Sequence, residues 1–258
     1  MDGGAEIGNS GRRGLYRADQ LARAAVRALS SHLSICQALI NFEFHGAQSA
    51  MTNGKTIEIM MTSGFPPKAL LAVPLFHVSG LYAHFLLSLR GGRSINIMYK
   101  WDPTKALQLI AEQRITTLSG APSMVLDLLE HPDFDSTDTI SLMVASGGGA
   151  ASPPKMAQLI KDKISHPYPG SGYGLTETSP VVSCNPIHKI KVETVGPPFK
   201  GNQVKIAEDG EILVKGENVM LGYWNKKKET DDIITVSYTH LRAHETGRNV
   251  VCRLLLEK

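Results

Sequence analysis

The stretch Ala69 to Leu89, ALLAVPLFHVSGLYAHFLLSL, carries no Asp, Glu, Lys or Arg. A run of that kind must be buried in lipid or in a protein core, because ~20 apolar residues are enough to cross a bilayer. Pro74, His77, Ser79, Gly80 and His84 interrupt it. Polar groups inside hydrocarbon are costly, so the mixture predicts a buried strand, a short polar break and a buried helix. No transmembrane segment is expected, which leaves peripheral contact with a membrane surface open. A chain of 258 residues has room for a core that can take up such a run.

The flanking sequence supports that reading by alternating strand and helix signals, as an α/β domain does. Leu70 to Leu75 is a compact apolar run, and Ser79 to Leu89 has helical character. Ser94 to Met98 reads as a strand. Asp102 and Pro103 then read as N-cap and first helical residue, since Asp accepts free N–H groups and Pro has none to lose. Ala106, Leu107, Leu109 and Ile110 give that helix an inner face. Ile115 to Leu118 and Ser141 to Ala145 are further strands, with Pro122 to Glu130 and Lys155 to Ile164 as helices. From about Thr194 the texture changes. Val204 to Ala207 and Glu211 to Lys215 flank Asp209-Gly210, a hairpin signal within a small β-rich subdomain.

Composition narrows the function. A net charge of +3, from 27 Lys and Arg against 24 Asp and Glu, gives no basic surface for reading nucleic acid. Cys36, Cys184 and Cys252 lie far apart with no C-x-x-C, which excludes a disulfide scaffold or a cysteine zinc site. Met1 to Gln20 has no apolar signal core, so a reducing cytoplasm is the expected compartment.

The segment most informative about chemistry is Gly170 to Pro180, GSGYGLTETSP. Gly170, Gly172 and Gly174 allow close backbone approach to a ligand. Tyr173 offers a flat face to a base, Thr176 a hydrogen bond to a phosphate oxygen, and Glu177 a hard oxygen ligand for Mg²⁺. Alone, the motif is also what a glycine-rich turn with a solvated Glu looks like. Upstream, however, Ser146-Gly147-Gly148-Gly149-Ala150 follows a buried strand and precedes a helix, where ligands sit in open α/β sheets. It has neither G-x-G-x-x-G nor a Walker lysine, so dinucleotide and P-loop readings fail on spacing. Pro74-Leu75-Phe76-His77 ends another strand, and could bring His77 to the same edge; as a lone residue, His77 reads equally as a hydrogen-bonded core histidine.

Taken in order, PLFHVSGL, ASGGGA, GYGLTETSP and GEILVKGENVMLGYW resemble the successive core motifs of the adenylate-forming superfamily, over about Ser31 to Asp232. Within it, the chain looks most like bacterial medium- and long-chain fatty acyl-CoA synthetases. The resemblance implies the layered α/β N-terminal domain of those enzymes, and a two-step reaction. A carboxylic acid, expected to be a fatty acid, is activated by ATP to an acyl-adenylate, and coenzyme A then displaces AMP. By the same resemblance Gly148, Gly149 and Ala150 would line adenine, with Tyr173 stacked on it among Gly172 and Gly174. Thr176 would contact the α-phosphate, Glu177 would hold Mg²⁺, His77 would sit near the acyl carboxylate, and Gly172 would border the acyl tunnel.

The match also breaks. The superfamily's phosphate loop, ending in Pro-Lys-Gly, should precede Ser30, but GRRGLYRADQLARAAVRAL stands there. Thr62-Ser63-Gly64 with Pro67-Lys68 imitates it, too close to His77 and without the following Thr-Thr-Gly. Nor do the ribose-binding Asp or the distal Lys appear after Asp232. The expected organisation is therefore an unmatched segment 1–29, the α/β part of the AMP-binding domain at 30–193, an incomplete β-rich subdomain at 194–235, and a tail, 236–258, that resembles translated adapter DNA. Such a fragment is expected not to turn over ATP. The alternatives are a peptide-synthetase-type adenylation domain and a truncated, non-catalytic nucleotide-binding fragment. Amino-acid-selecting domains usually place an Asp where this chain has Phe85, which favours a fatty or aryl acid.

Overall fold

The alternating middle of the chain winds into a parallel sheet with its core on one face. A computed structural model describes residues 28–52, 62–150, 152–164, 172–185, 194–207, 212–234 and 239–241. The chain begins there with a short strand, β1 (Ala28–Leu29), and a long helix, α1 (His32–Thr52). Four parallel strands follow: β2 (Lys68–Leu71), β3 (Ser94–Ile97), β4 (Thr117–Gly120) and β5 (Val144–Gly147), in the order β3-β2-β4-β5. Between β2 and β3 lie a π-helical stretch, Ser79–Leu86, and the short helix α2 (Leu87–Arg90). The other crossovers are α3 (Pro103–Gln113), α4 (Pro122–Leu129) and, after β5, α5 (Pro154–Lys163).

The uncharged stretch Ala69 to Leu89 thus divides into strand, turn and helix. No described helix is long and apolar enough to cross a membrane. Its strand ends sooner than the apolar run suggests. Leu71 is its last residue, and the chain turns at once, with the His77 N–H donating to the Pro74 carbonyl at 3.0 Å. Proline cannot donate to a ladder, which excludes Pro74 from a central strand. Leu75 and Phe76 are consequently exposed rather than paired.

Register explains the core. Leu70 stands opposite Leu118, and Leu118 opposite Ala145, forming one row across three strands. Successive strand residues point to opposite faces, so this row faces one layer. There it meets Ala106, Leu107 and Ile110 of α3, Val125, Leu128 and Leu129 of α4, and Met156 and Ile160 of α5. Asp102 caps α3 by accepting the Lys105 N–H at 3.0 Å, with Pro103 beginning the helix.

The second body is built from short antiparallel strands: β6 (Gly172–Tyr173) with β7 (Ser183–Cys184), and β8 (Gln203–Ile206) with β9 (Ile212–Lys215). The hairpin expected around Asp209-Gly210 is present as the β8–β9 pair, while the turn itself lies outside the described residues. β10 (Gly222–Tyr223) pairs with β1, so Ala28 and Leu29 join a strand from the far end of the chain. A short helix, α6 (Lys227–Ile233), follows, and β11 (Thr239–Leu241) adds an antiparallel third strand beside β9. The rest of segments 1–29 and 236–258 lies outside the described residues.

Candidate active site

The carboxyl ends of β2, β4 and β5 share one edge of the parallel sheet, and two of the predicted groups lie beyond it. Gly148, Gly149 and Ala150 leave β5 as an exposed loop, held where the Gly148 N–H donates to the Gly120 carbonyl at 2.9 Å. Gly149 has φ +82°, a torsion that favours glycine. No atom lies within 4 Å of where a Cβ on Gly148 would stand, so the loop borders open space. His77 lies in the turn that follows β2 at the same edge, β2 and β5 being two strand spacings, about 10 Å, apart. It is exposed, and its Nδ1 lies 2.9 Å from the Ser79 hydroxyl. The reading of His77 as a core histidine therefore fails. Thr62 to Pro67 enters β2 at the opposite end, away from this edge, so the structure separates that phosphate-loop imitation from the candidate residues.

Gly172, Tyr173, Gly174, Thr176 and Glu177 form a second group, on β6 and the turn after it. Their glycines have a reason internal to the fold. A Cβ on Gly172 would lie 2.8 Å from the Ser183 carbonyl oxygen, and one on Gly174 only 1.6 Å from that of Pro180. Both glycines thus admit neighbouring backbone, whereas the sequence reading assigned that space to a ligand. Gly170 lies outside the described residues. Tyr173 is half-buried and packs against Val182, Ile212 and Val214. Thr178, absent from the predicted set, fixes the short 3₁₀ turn Thr176–Thr178: its hydroxyl accepts the Leu175 N–H and donates to the Leu175 carbonyl, both at 3.0 Å.

The hydrogen bonds of this second group run to a segment far along the chain. Tyr223 donates its hydroxyl to Glu177 Oε1 at 2.7 Å, and the Met220 N–H donates to the Glu177 carbonyl at 2.8 Å. Asn218, fully buried, donates to the carbonyls of Thr178 and Val181, each at 3.0 Å. The Ser30 and Ser179 hydroxyls meet at 3.1 Å. Burial, then the Glu177 charge and the hydrogen bond to it, push the Tyr223 hydroxyl far above its ordinary range, so it remains a proton donor. Sequence reasoning singled out Gly222-Tyr223-Trp224 as a motif but assigned no partner, since only the fold brings Tyr223 to Glu177.

No group of three or more His, Cys, Asp or Glu side chains that could hold a metal occurs among the described residues. One hard carboxylate does suit Mg²⁺, which binds through one or two carboxylates plus substrate phosphates rather than a complete protein cage. Glu177, half-buried and held at one oxygen by a neutral donor, fits that part.

The family model of the AMP-binding enzymes matches residues 37–224, which include every residue of both groups. The chain belongs to the AMP-binding enzyme family. Among curated relatives it is 36% identical over 179 residues to the long-chain-fatty-acid–CoA ligase of Bacillus subtilis, covering 65% of this chain and 32% of that protein. It is 32% identical over 181 residues to the 4-coumarate–CoA ligase CCL1 of Humulus lupulus, covering 64% and 33%. The chain therefore spans about a third of the length of these relatives. Among solved structures, o-succinylbenzoate CoA synthetase from Bacillus subtilis, bound with its product analogue OSB-NCoA, superposes with a TM-score of 0.65. It is 22% identical, with 83% of this chain and 42% of that chain covered, and it establishes the mixed α/β architecture.

Proposed function

We propose that this AMP-binding chain carries part of the active site of an ATP-dependent acid–thiol ligase, and that the acid is a fatty acid. In the first step a carboxylate oxygen attacks the α-phosphorus of ATP, the bond to the bridging oxygen breaks, and pyrophosphate leaves an acyl-adenylate. In the second, the thiolate of coenzyme A attacks the acyl carbonyl and AMP departs. The observation that carries this reading is the family match, which spans both the sheet-edge loop and the Glu177 turn. Names of the relatives support a carboxylic acid and coenzyme A as substrates, and the Bacillus relative supports a fatty acid.

The residues divide the work by chemistry. Gly148, Gly149 and Ala150 line adenine with backbone, and Tyr173, flanked by Gly172 and Gly174, presents its ring to the base. Thr176 donates to the α-phosphate, where charge accumulates as the pentavalent state forms. Glu177 holds Mg²⁺, which, when bound with ATP, neutralises phosphate charge. His77 faces the acyl carboxylate, and Gly172 borders the acyl passage.

Calorimetric titration of a non-hydrolysable fatty acyl-adenylate mimic, an acyl sulfamate of adenosine, against AMP tests the assignment. The mimic is expected to bind at least tenfold tighter than AMP. Equal affinities would leave a bare nucleotide-binding module, and tighter binding of an aminoacyl mimic would point to a peptide-synthetase-type domain.

A further inference from the structure

We infer that Tyr223 is a positioning residue for Glu177: its buried hydroxyl holds one carboxylate oxygen and sets the plane in which the other meets a magnesium ion carried by the nucleotide. The inference rests on the reading of Glu177 as the magnesium-facing carboxylate. It goes beyond that reading by making the segment Asn218 to Tyr223 part of the cation site.

The geometry is over-determined, as positioning requires. Tyr223 is buried at 8% exposure, and its hydroxyl reaches Glu177 Oε1 at 2.7 Å. Its own backbone is fixed twice: the Tyr223 N–H donates to the Thr230 hydroxyl at 2.9 Å, and residue 223 pairs with Ala28 across β1. The Glu177 backbone is fixed from the same segment by the Met220 N–H, and the turn that carries it by Asn218. Side chain and main chain of Glu177 are thus both referred to one rigid piece.

The chemical type of the partner matters as much as its place. A lysine or arginine at this distance would satisfy the carboxylate and cancel its charge. A phenol donates one hydrogen bond and leaves the charge for a cation. Losing the hydroxyl frees the carboxylate to rotate, and that freedom must then be lost again when the ion binds.

The test measures binding of a fluorescent, mant-labelled ATP to the full chain, with Mg²⁺ and with EDTA, and takes the ratio of the two affinities. Expected for Tyr223→Phe is an affinity in EDTA within twofold of the unchanged chain and a magnesium gain reduced at least fivefold. Glu177→Gln should abolish the gain, and adding Tyr223→Phe to it should remove nothing more. If Glu177→Gln loses the gain while Tyr223→Phe keeps it within twofold, Tyr223 is only a packing residue; the inference falls and the Glu177 reading stands. If Glu177→Gln leaves part of the gain and adding Tyr223→Phe removes that part, the inference is overturned too, because Tyr223 would then act independently of Glu177. If the unchanged chain has no magnesium gain, the Glu177 reading falls and takes the inference with it.

Discussion

Two glycines in the motif regions, Gly174 and Gly148, serve opposite purposes and give opposite predictions. A methyl group at 174 would stand 1.6 Å from a backbone carbonyl, which cannot rotate away. Gly174→Ala should therefore cost about 3 kcal/mol or more in urea unfolding, and an unchanged midpoint would contradict the packing described. At 148 nothing stands within 4 Å, so Gly148→Ala should change stability by less than about 0.5 kcal/mol. It should nevertheless weaken AMP binding about tenfold, if adenine lies on that loop. Retained affinity would remove Gly148 from the site. From sequence alone these two glycines look equivalent, since the atoms that distinguish them come from residues brought near by folding. The same holds for Tyr223, whose partner Glu177 is 46 positions away. Thr176 and Glu177 could be singled out as candidates because hydrogen bonding and affinity for a hard cation are local to a side chain, whereas His77 was singled out by resemblance.

His84 gives the pH dependence at this scale. Burial in the π-helical stretch pulls its imidazole from 6.5 down to about 4. Between those values the unfolded chain binds a proton that the native chain does not, so stability falls as pH is lowered from about 6.5 to about 4 and levels off below. The loss from this residue is at most about 3 kcal/mol. Burial lowers His45 as well, in the same direction. His84→Gln should flatten that slope, measured as unfolding free energy against pH; an unaltered slope would assign the acid sensitivity elsewhere.

At the scale of elements, the crossover helices of the parallel sheet were read more closely than its strands, whereas α1 and α6 were not anticipated. Asp102-Pro103 opens α3 as expected, because the capping signal resides in two adjacent residues. Asp102→Ala should cost about 1 kcal/mol by thermal melting, and no loss would mean the cap is idle. Strand edges shifted for a physical reason. Ile115 and Leu142 are buried, yet β4 and β5 begin only at Thr117 and Val144. The Ile115 N–H closes the end of α3 on Ile110, and that of Leu142 bonds Thr139 within a turn. Apolar character reports burial beneath the sheet, whereas a strand begins where hydrogen bonding changes partner. The helix expected from Ser79 is present but wound with π geometry through Leu86, a distinction that periodicity does not carry.

Across the whole molecule, the parallel sheet supplies the glycine loop and His77, and the smaller β-rich body supplies Tyr173 to Glu177. Packing ties the two regions, as where His45 of α1 meets the Phe199 ring edge-on at 5.6 Å. The strand–helix alternation could be anticipated from pattern; the row Leu70, Leu118 and Ala145 depends on register, which the fold supplies. The pairing of β1 with β10 and of β11 with β9 could not be anticipated either, because β1, β10 and β11 are only two or three residues long and carry no strand pattern of their own. The central claim is that both glycine-containing segments face one nucleotide. Photolabelling with 8-azidoadenosine triphosphate, followed by peptide mapping, tests it most directly. The account predicts label in peptides containing Gly148 to Ala150 and Gly172 to Glu177, both protected by AMP. Label confined to one segment, or label that AMP does not displace, would contradict it.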